Sequence, residues 1–342
     1  MRAPQQLKKQ MEQRADKTAT TANNRQQSQS VAANPILGIG FKLASTLLFF
    51  IMASAVKWAS ETVPTTQIVF SRNFFAMIPI LAVMAYGGNM RELAYTNRVG
   101  GHIMRAIIGV TAMICGFTAY SFMSLPDVTA IGFSSPLMVV VLAALILHEQ
   151  VRIYRWSAVG VGFIGVMVML SPHLGQGDET SMIGLIAAFG SAFFGACAMI
   201  TVRQLCVSER ASTIVLWFTV CSAIIGLMSF PLGWIFPQLE WVMPNLTELL
   251  LLVTMGIAGG IGQILLTQSY RYADASTIAP FDYVNMIWAI LFGYILFGDE
   301  VSIEVLLGTA IVVASGIFVI YREKKRGYNR NRQGRASTPS KA

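Results

Sequence analysis

Ten apolar stretches separated by short polar links run along the chain, near residues 35–57, 64–86, 102–123, 126–147, 156–171, 183–203, 211–236, 247–270, 275–297 and 302–321. Most have about the 20 residues a helix needs to cross roughly 30 Å of hydrocarbon; the fifth is shorter. No long hydrophilic segment interrupts them. Lipid offers a backbone no water to bond, so the pattern predicts a single bundle of ten transmembrane helices, an all-α membrane protein. Residues 1–34 are rich in Gln, Asn, Thr, Lys and Arg, and residues 322–342 are again polar and basic. Neither can build a core, so both are expected to be disordered tails. Residues 1–34 also lack an apolar run of signal-peptide type, so the first helix is expected to act as an uncleaved anchor.

The pattern repeats. A shift of 146 places lays "GLIAAFGSAFFGA" from Gly184 over "GIGFKLASTLLFF" from Gly38, matching Ser45 with Ser191, Lys57 with Arg203 and Arg72 with Phe218. One residue further on, "DASTI" at Asp274 matches "DVTAI" at Asp127, and each leads through an apolar helix to an acid closely followed by Val, "HEQV" and "DEV". The halves are residues 35–171 and 183–321, five helices each. Five is odd, so the second half enters the membrane from the other side, giving an inverted repeat of the kind many secondary transporters use to expose a midplane site to alternate faces.

Composition sharpens this picture in two ways. With 54% hydrophobic and 12% charged residues, the chain falls well below the roughly 25% charged residues of a soluble domain. Its net charge of +8 does not mark a nucleic-acid partner, because the charge is sorted by side. With the amino terminus inside, all 25 basic residues except Lys42, Lys57 and Arg72 fall in inner regions, Arg91, Arg98 and Arg105 among them. The positive-inside rule then places both termini in the cytoplasm, with the basic tails against anionic lipid. The four cysteines, Cys115, Cys197, Cys206 and Cys221, lack Cys-x-x-Cys spacing, and His102, His148 and His173 are scattered near helix ends, where interface histidines are the expectation. No metal site or other cofactor is expected.

"GFKLASTLLFFIMASAVKWAS", "LPDVTAIGFSSPLMVVVLAALILHEQV" and "YADASTIAPFDYVNMIWAILFGYILFGDEV" resemble the EamA-type members of the drug/metabolite transporter (DMT) superfamily over residues 35–321. Within it, "SSPL" and "APFDY" look most like a bacterial subgroup with riboflavin importers, S-adenosylmethionine carriers and metallophore exporters. The resemblance implies a secondary carrier of the bacterial inner membrane and does not choose its cargo. The family pattern has one Glu after Gly where this chain has Asp299 and Glu300, leaving open which of the two takes that role.

Ionisable groups inside an apolar span cost about 2.5–3.5 kcal/mol on insertion scales, so they face the bundle interior or water. Arg72, beside Asn73, lies about eight residues in from the outer end of the second segment, roughly 12 Å deep; Asp282 lies about as deep from the inner end of the ninth. In a core of about 30 Å their heights differ by only about 6 Å, so an Arg72–Asp282 axis near the midplane is expected. Ser134, Ser135 and Gln263 reach similar depth, and Asn285 follows Asp282 on the same helix face. Pro136 and Pro280 should break their helices and free carbonyls. Trp217, Phe218, Tyr283 and Trp288 could offer flat surfaces to an aromatic cargo, though such rings usually pack. Asp282 would also provide a route for proton coupling if burial raised its pKa. Glu149 and Glu300 read as helix-end fixtures. The glycine runs "GIAGGIG", "GVGFIG" and "GSAFFGA" are expected to pack helices. No Gly-x-x-x-x-Gly-Lys loop is present for ATP, and no helix centre holds a nucleophile–base pair or an acidic dyad. An intramembrane enzyme is therefore disfavoured against a small-molecule transporter, and a receptor or scaffold would tolerate loss of the midplane groups.

Overall fold

A computed structural model describes residues 34–86, 95–147, 153–174, 179–206, 208–273 and 275–336. The first tail, Arg91, His148, Glu149 and Asp274 lie outside the described residues. Among the described residues ten helical spans are present: α1 (Pro35–Ala59), α2 (Thr65–Tyr86), α3 (Val99–Phe122), α4 (Leu125–Gly132 followed by Ser135–Ile146), α5 (Ile153–Leu174), α6 (Glu179–Leu205), α7 (Ala211–Leu227), α8 (Leu246–Tyr272), α9 and α10 (Ile303–Ala336). The ninth is assembled from Ala275–Ile278, a 3-10 stretch Ala279–Tyr283, Val284–Phe292 and a π turn Gly293–Phe297. Eight spans are long and apolar enough to cross a bilayer, and two apolar stretches, Arg155–Ser171 and Ile303–Val319, are shorter. The protein is a multi-pass membrane protein.

Local chemistry sets the boundaries. Asn34 caps α1, accepting from the Leu37 amide, with Pro35 at the first helical position where its missing N–H costs nothing. Ser124 caps α4 in the same way through the Asp127 amide. A reciprocal capping box holds the start of α8: the Asn245 side chain accepts from the Glu248 amide at 2.9 Å and Glu248 accepts from the Asn245 amide at 2.8 Å. The two prolines interrupt α4 and α9 at repeat-related places, as expected. Helix α7 stops at Leu227, short of the expected 236, and the chain continues in turns and 3-10 pieces through Leu239. Conversely, α10 continues to Ala336, into the stretch expected to be a disordered tail; no proline interrupts the run before Pro339.

Packing joins the halves. One core gathers Met123, Ile131, Leu137, Met169, Met286 and Val305 from α3, α4, α5, α9 and α10. Another gathers Val56, Ile68, Val110, Phe117 and Met255 from α1, α2, α3 and α8. The glycines of α8 bring helices close: a Cβ at Gly260 would lie 2.7 Å from Pro79 Cγ and 2.9 Å from the Ala76 carbonyl of α2. Gly165 and Gly308 do the same between α5 and α10. In lipid such close approach replaces the hydrophobic drive that holds soluble cores.

Candidate functional site

Arg72 is 7% exposed, on the face of α2 that also buries Gln67, Ser71 and Asn73. Its Nη1 donates to Asn73 Oδ1 at 3.0 Å, and Asn73 Nδ2 donates in turn to the Val69 carbonyl at 2.8 Å. The Nε is buried without an acceptor, and among the described residues no carboxylate pairs with this guanidinium. Room for it comes from Gly259 of α8, where a Cβ would lie 3.3 Å from Nε, beside Met52 of α1. An unmet buried donor costs about 1–3 kcal/mol, more when it carries charge.

Asp282 does not meet Arg72. It pairs with Lys42 of α1 at 2.5 Å, in a bridge whose lysine end is buried and whose carboxylate end is 45% exposed. Lys42 stands ten residues before Met52 on α1, so the pair lies roughly 15 Å along that helix from Arg72. The expected axis fails because depth along two helices says nothing of which helices are neighbours. Asp282 sits in the 3-10 entry of α9 that packs on α1, where a long lysine stem can reach it.

The remaining candidates divide. Ser134, at the break of α4, is fully buried with its hydroxyl unpartnered, and Ser135 faces Gly195 of α6, whose Cβ would lie 3.7 Å from the Ser135 Oγ. Gln263 is half-buried on α8, one residue after Gly262, whose carbonyl accepts from Ser45 at 2.8 Å. Asn285 is half-buried one turn beyond Asp282. Trp288 donates to Thr46 of α1 at 3.2 Å, a packing role. Tyr283 packs edge-on against Phe133, and its hydroxyl fills the gap over Gly316 of α10, away from Arg72. Trp217 stacks on His102, with ring centroids 5.5 Å apart. His102, in the first turn of α3, is buried, and both of its ring nitrogens lack partners.

Two interior cations were missed. Lys42 and Arg105 were weighed only by which side of the membrane they favour. Lys42 is seven residues into the first apolar segment, so the depth rule applied to Arg72 finds it; Arg105 is only three residues into the segment 102–123, too near its end for that rule.

A third charge group lies at the end of the bundle opposite the termini. Lys57, at the end of α1, contacts both oxygens of Asp299, at 3.0 and 2.8 Å, and Asp299 Oδ2 also accepts from the Leu125 amide that opens α4, at 3.0 Å. Of the two adjacent acids, Asp299 makes these contacts and Glu300 is exposed. Gly298 makes the turn, with φ at +67°, a conformation only glycine adopts freely.

Comparison with known proteins fits this architecture. The model of the EamA-like transporter family matches residues 36–171 and 182–322. The S-adenosylmethionine uptake transporter of Rickettsia bellii is 26% identical over 84% of this chain and 95% of its own length. The riboflavin transporter of Vibrio cholerae is 29% identical over 87% and 97%, and the pseudopaline exporter of Pseudomonas aeruginosa 26% over 84% and 97%. One crystal structure shares the fold, with a TM-score of 0.57 at 18% identity over 81% of this chain and 95% of that one. With two matched copies, ten helices and an inverted arrangement of halves, this chain belongs to the EamA-like transporter family.

Proposed function

We propose that the protein is a secondary active transporter that moves a small organic metabolite across a bacterial inner membrane by alternating access, with both termini in the cytoplasm and the basic tails against anionic lipid. The observation that carries this reading is Arg72: a buried guanidinium with an unmet Nε, held by Asn73 in the interior of a two-repeat bundle. A charge that locked the fold would have an acid beside it, and Arg72 has none among the described residues. Its repeat counterpart is Phe218, so the fold does not need an arginine at that place.

Cargo resembling riboflavin or S-adenosylmethionine is favoured by the names of the relatives. Export of metabolites or metallophores is the alternative, favoured by the pseudopaline exporter. Besides Arg72 and Asn73, the groups proposed to contact cargo are Ser134, Ser135, Gln263 and Trp217. Asp282 and Asn285 are proposed as a second set of cargo contacts on α9, at the exposed end of the Lys42 pair. Metabolite profiling of a deletion strain, in cells and in medium, reads both cargo and direction. Import predicts a metabolite depleted in cells and retained in medium, and export predicts the reverse. Unchanged profiles on every medium tested would count against transport.

A further inference from the structure

We infer that Arg72 and Arg105 together form the docking site for an anionic oxygen group of the cargo, a carboxylate or a phosphate, beside the flat face of Phe218. The inference rests on the transport reading and names the class of molecule carried.

Arg105 projects from α3 so that its guanidinium carbon lies 4.1 Å from the centroid of the Phe218 ring on α7. Gly109, one turn further along α3, provides the space, since a Cβ there would collide with Nη1 of Arg105 and with the Phe218 ring. Stacking orients the guanidinium plane but satisfies no hydrogen-bond donor. Nε and Nη1 of Arg105 are both buried without an acceptor, as is Nε of Arg72. The two side chains sit on neighbouring helices within about a turn of one another: Asn73, which holds Arg72, meets Met113 Sδ of α3 at 3.7 Å, one turn beyond Gly109, over which Nη1 of Arg105 lies.

Two cations of like sign repel each other, and their unmet buried donors compound the cost. The bundle does contain acids that could have neutralised them. Asp282 and Asp299 are instead engaged by Lys42 and Lys57. What remains is a net positive centre made of arginines, whose forked donors match carboxylate and phosphate oxygens in a way that an ammonium does not. The inverted repeat adds an independent observation. Arg72 and Phe218 are counterparts in the two halves, and Phe218 is the ring that carries Arg105. Repeat-related positions on α2 and α7 thus each present a guanidinium, one directly and one by stacking.

The test uses the full-length protein in nanodiscs of neutral lipid, with thermal unfolding followed against benzoate, phenyl phosphate and neutral benzamide at matched ionic strength. Benzoate or phenyl phosphate should stabilise the wild type saturably, and benzamide should not. Arg72→Gln and Arg105→Gln should each weaken the response at least tenfold. Gly109→Ala, which keeps both charges but displaces Arg105 from Phe218, should weaken it as well, and Arg105→Lys should recover part of it. Which probe is preferred separates carboxylate from phosphate. A wild type that ignores both anions, responds equally to benzamide, or responds like its variants would overturn the site. Anionic phosphatidylglycerol in the nanodisc tests a lipid headgroup as the source. If it suppresses the benzoate response of the wild type, the anion is lipid and the cargo assignment falls. Because binding is read without flux, an intact anion site in a protein that transports nothing would count against the transport reading alone.

Discussion

Lys42 and Asp282 show how one residue can be visible in a sequence and still be misassigned. Asp282 stood out as an acid inside an apolar run, and so did Arg72, but their partners depend on which helices touch. Local composition carries no record of that. Arg105 was hidden for another reason: six residues into α3, it could be counted with the loop before it, and only its stacking on Phe218 marks it as interior. Breaking the Lys42 pair should therefore be costly. Asp282→Asn leaves a buried ammonium without a counter-charge, and with its carboxylate end 45% exposed the expected loss is about 1–3 kcal/mol, below the 3–5 kcal/mol of fully buried pairs. Adding Lys42→Met should restore most of it, as read by chemical unfolding in detergent. If Asp282→Asn unfolds like the wild type, the bridge contributes nothing to the fold.

At the scale of the element, the breaks in α4 and α9 were legible because Pro136 and Pro280 dictate them. The closing of α9 was not. Its π turn and the left-handed Gly298 follow from the need to bring Asp299 back over Gly293, whose carbonyl accepts from the Asp299 amide at 3.0 Å. Gly298→Ala should cost about 1–2 kcal/mol through the left-handed backbone alone, measured as a lowered unfolding midpoint. No change would mean that the turn can relax without strain. The glycines shared by α5 and α10 are more demanding: a Cβ at Gly308 would lie 2.5 Å from the Gly165 carbonyl. Gly308→Leu should destabilise by about 1–3 kcal/mol by overpacking, with loss of folded, monodisperse protein on size-exclusion chromatography. Gly40, which meets nothing within 4 Å, should accept leucine without that loss.

For the whole molecule, the ten spans and the inverted halves could be read from periodicity and from the shift of 146 places, because lipid leaves a helix few other ways to satisfy its backbone. What could not be read is how the helix ends meet. In this structure Lys57, Asp299 and the Leu125 amide tie α1, α9 and α4 together at the end opposite the termini. Alternating access requires that tie to open. Asp299→Asn should shift the population toward states open on that face, seen as at least a threefold faster reaction of Ser60→Cys with an impermeant maleimide after the four native cysteines are replaced. An unchanged rate would mean that the tie only braces the fold. The role of Arg72 is tested most directly by counterflow in proteoliposomes, with labelled S-adenosylmethionine and riboflavin offered in turn and cell metabolite extract as the internal exchanger. Wild-type protein should accumulate label from at least one of these above empty vesicles, and Arg72→Gln should lose that accumulation at least tenfold while remaining folded. Equal accumulation by the wild type and Arg72→Gln would contradict the assignment of Arg72 to the cargo.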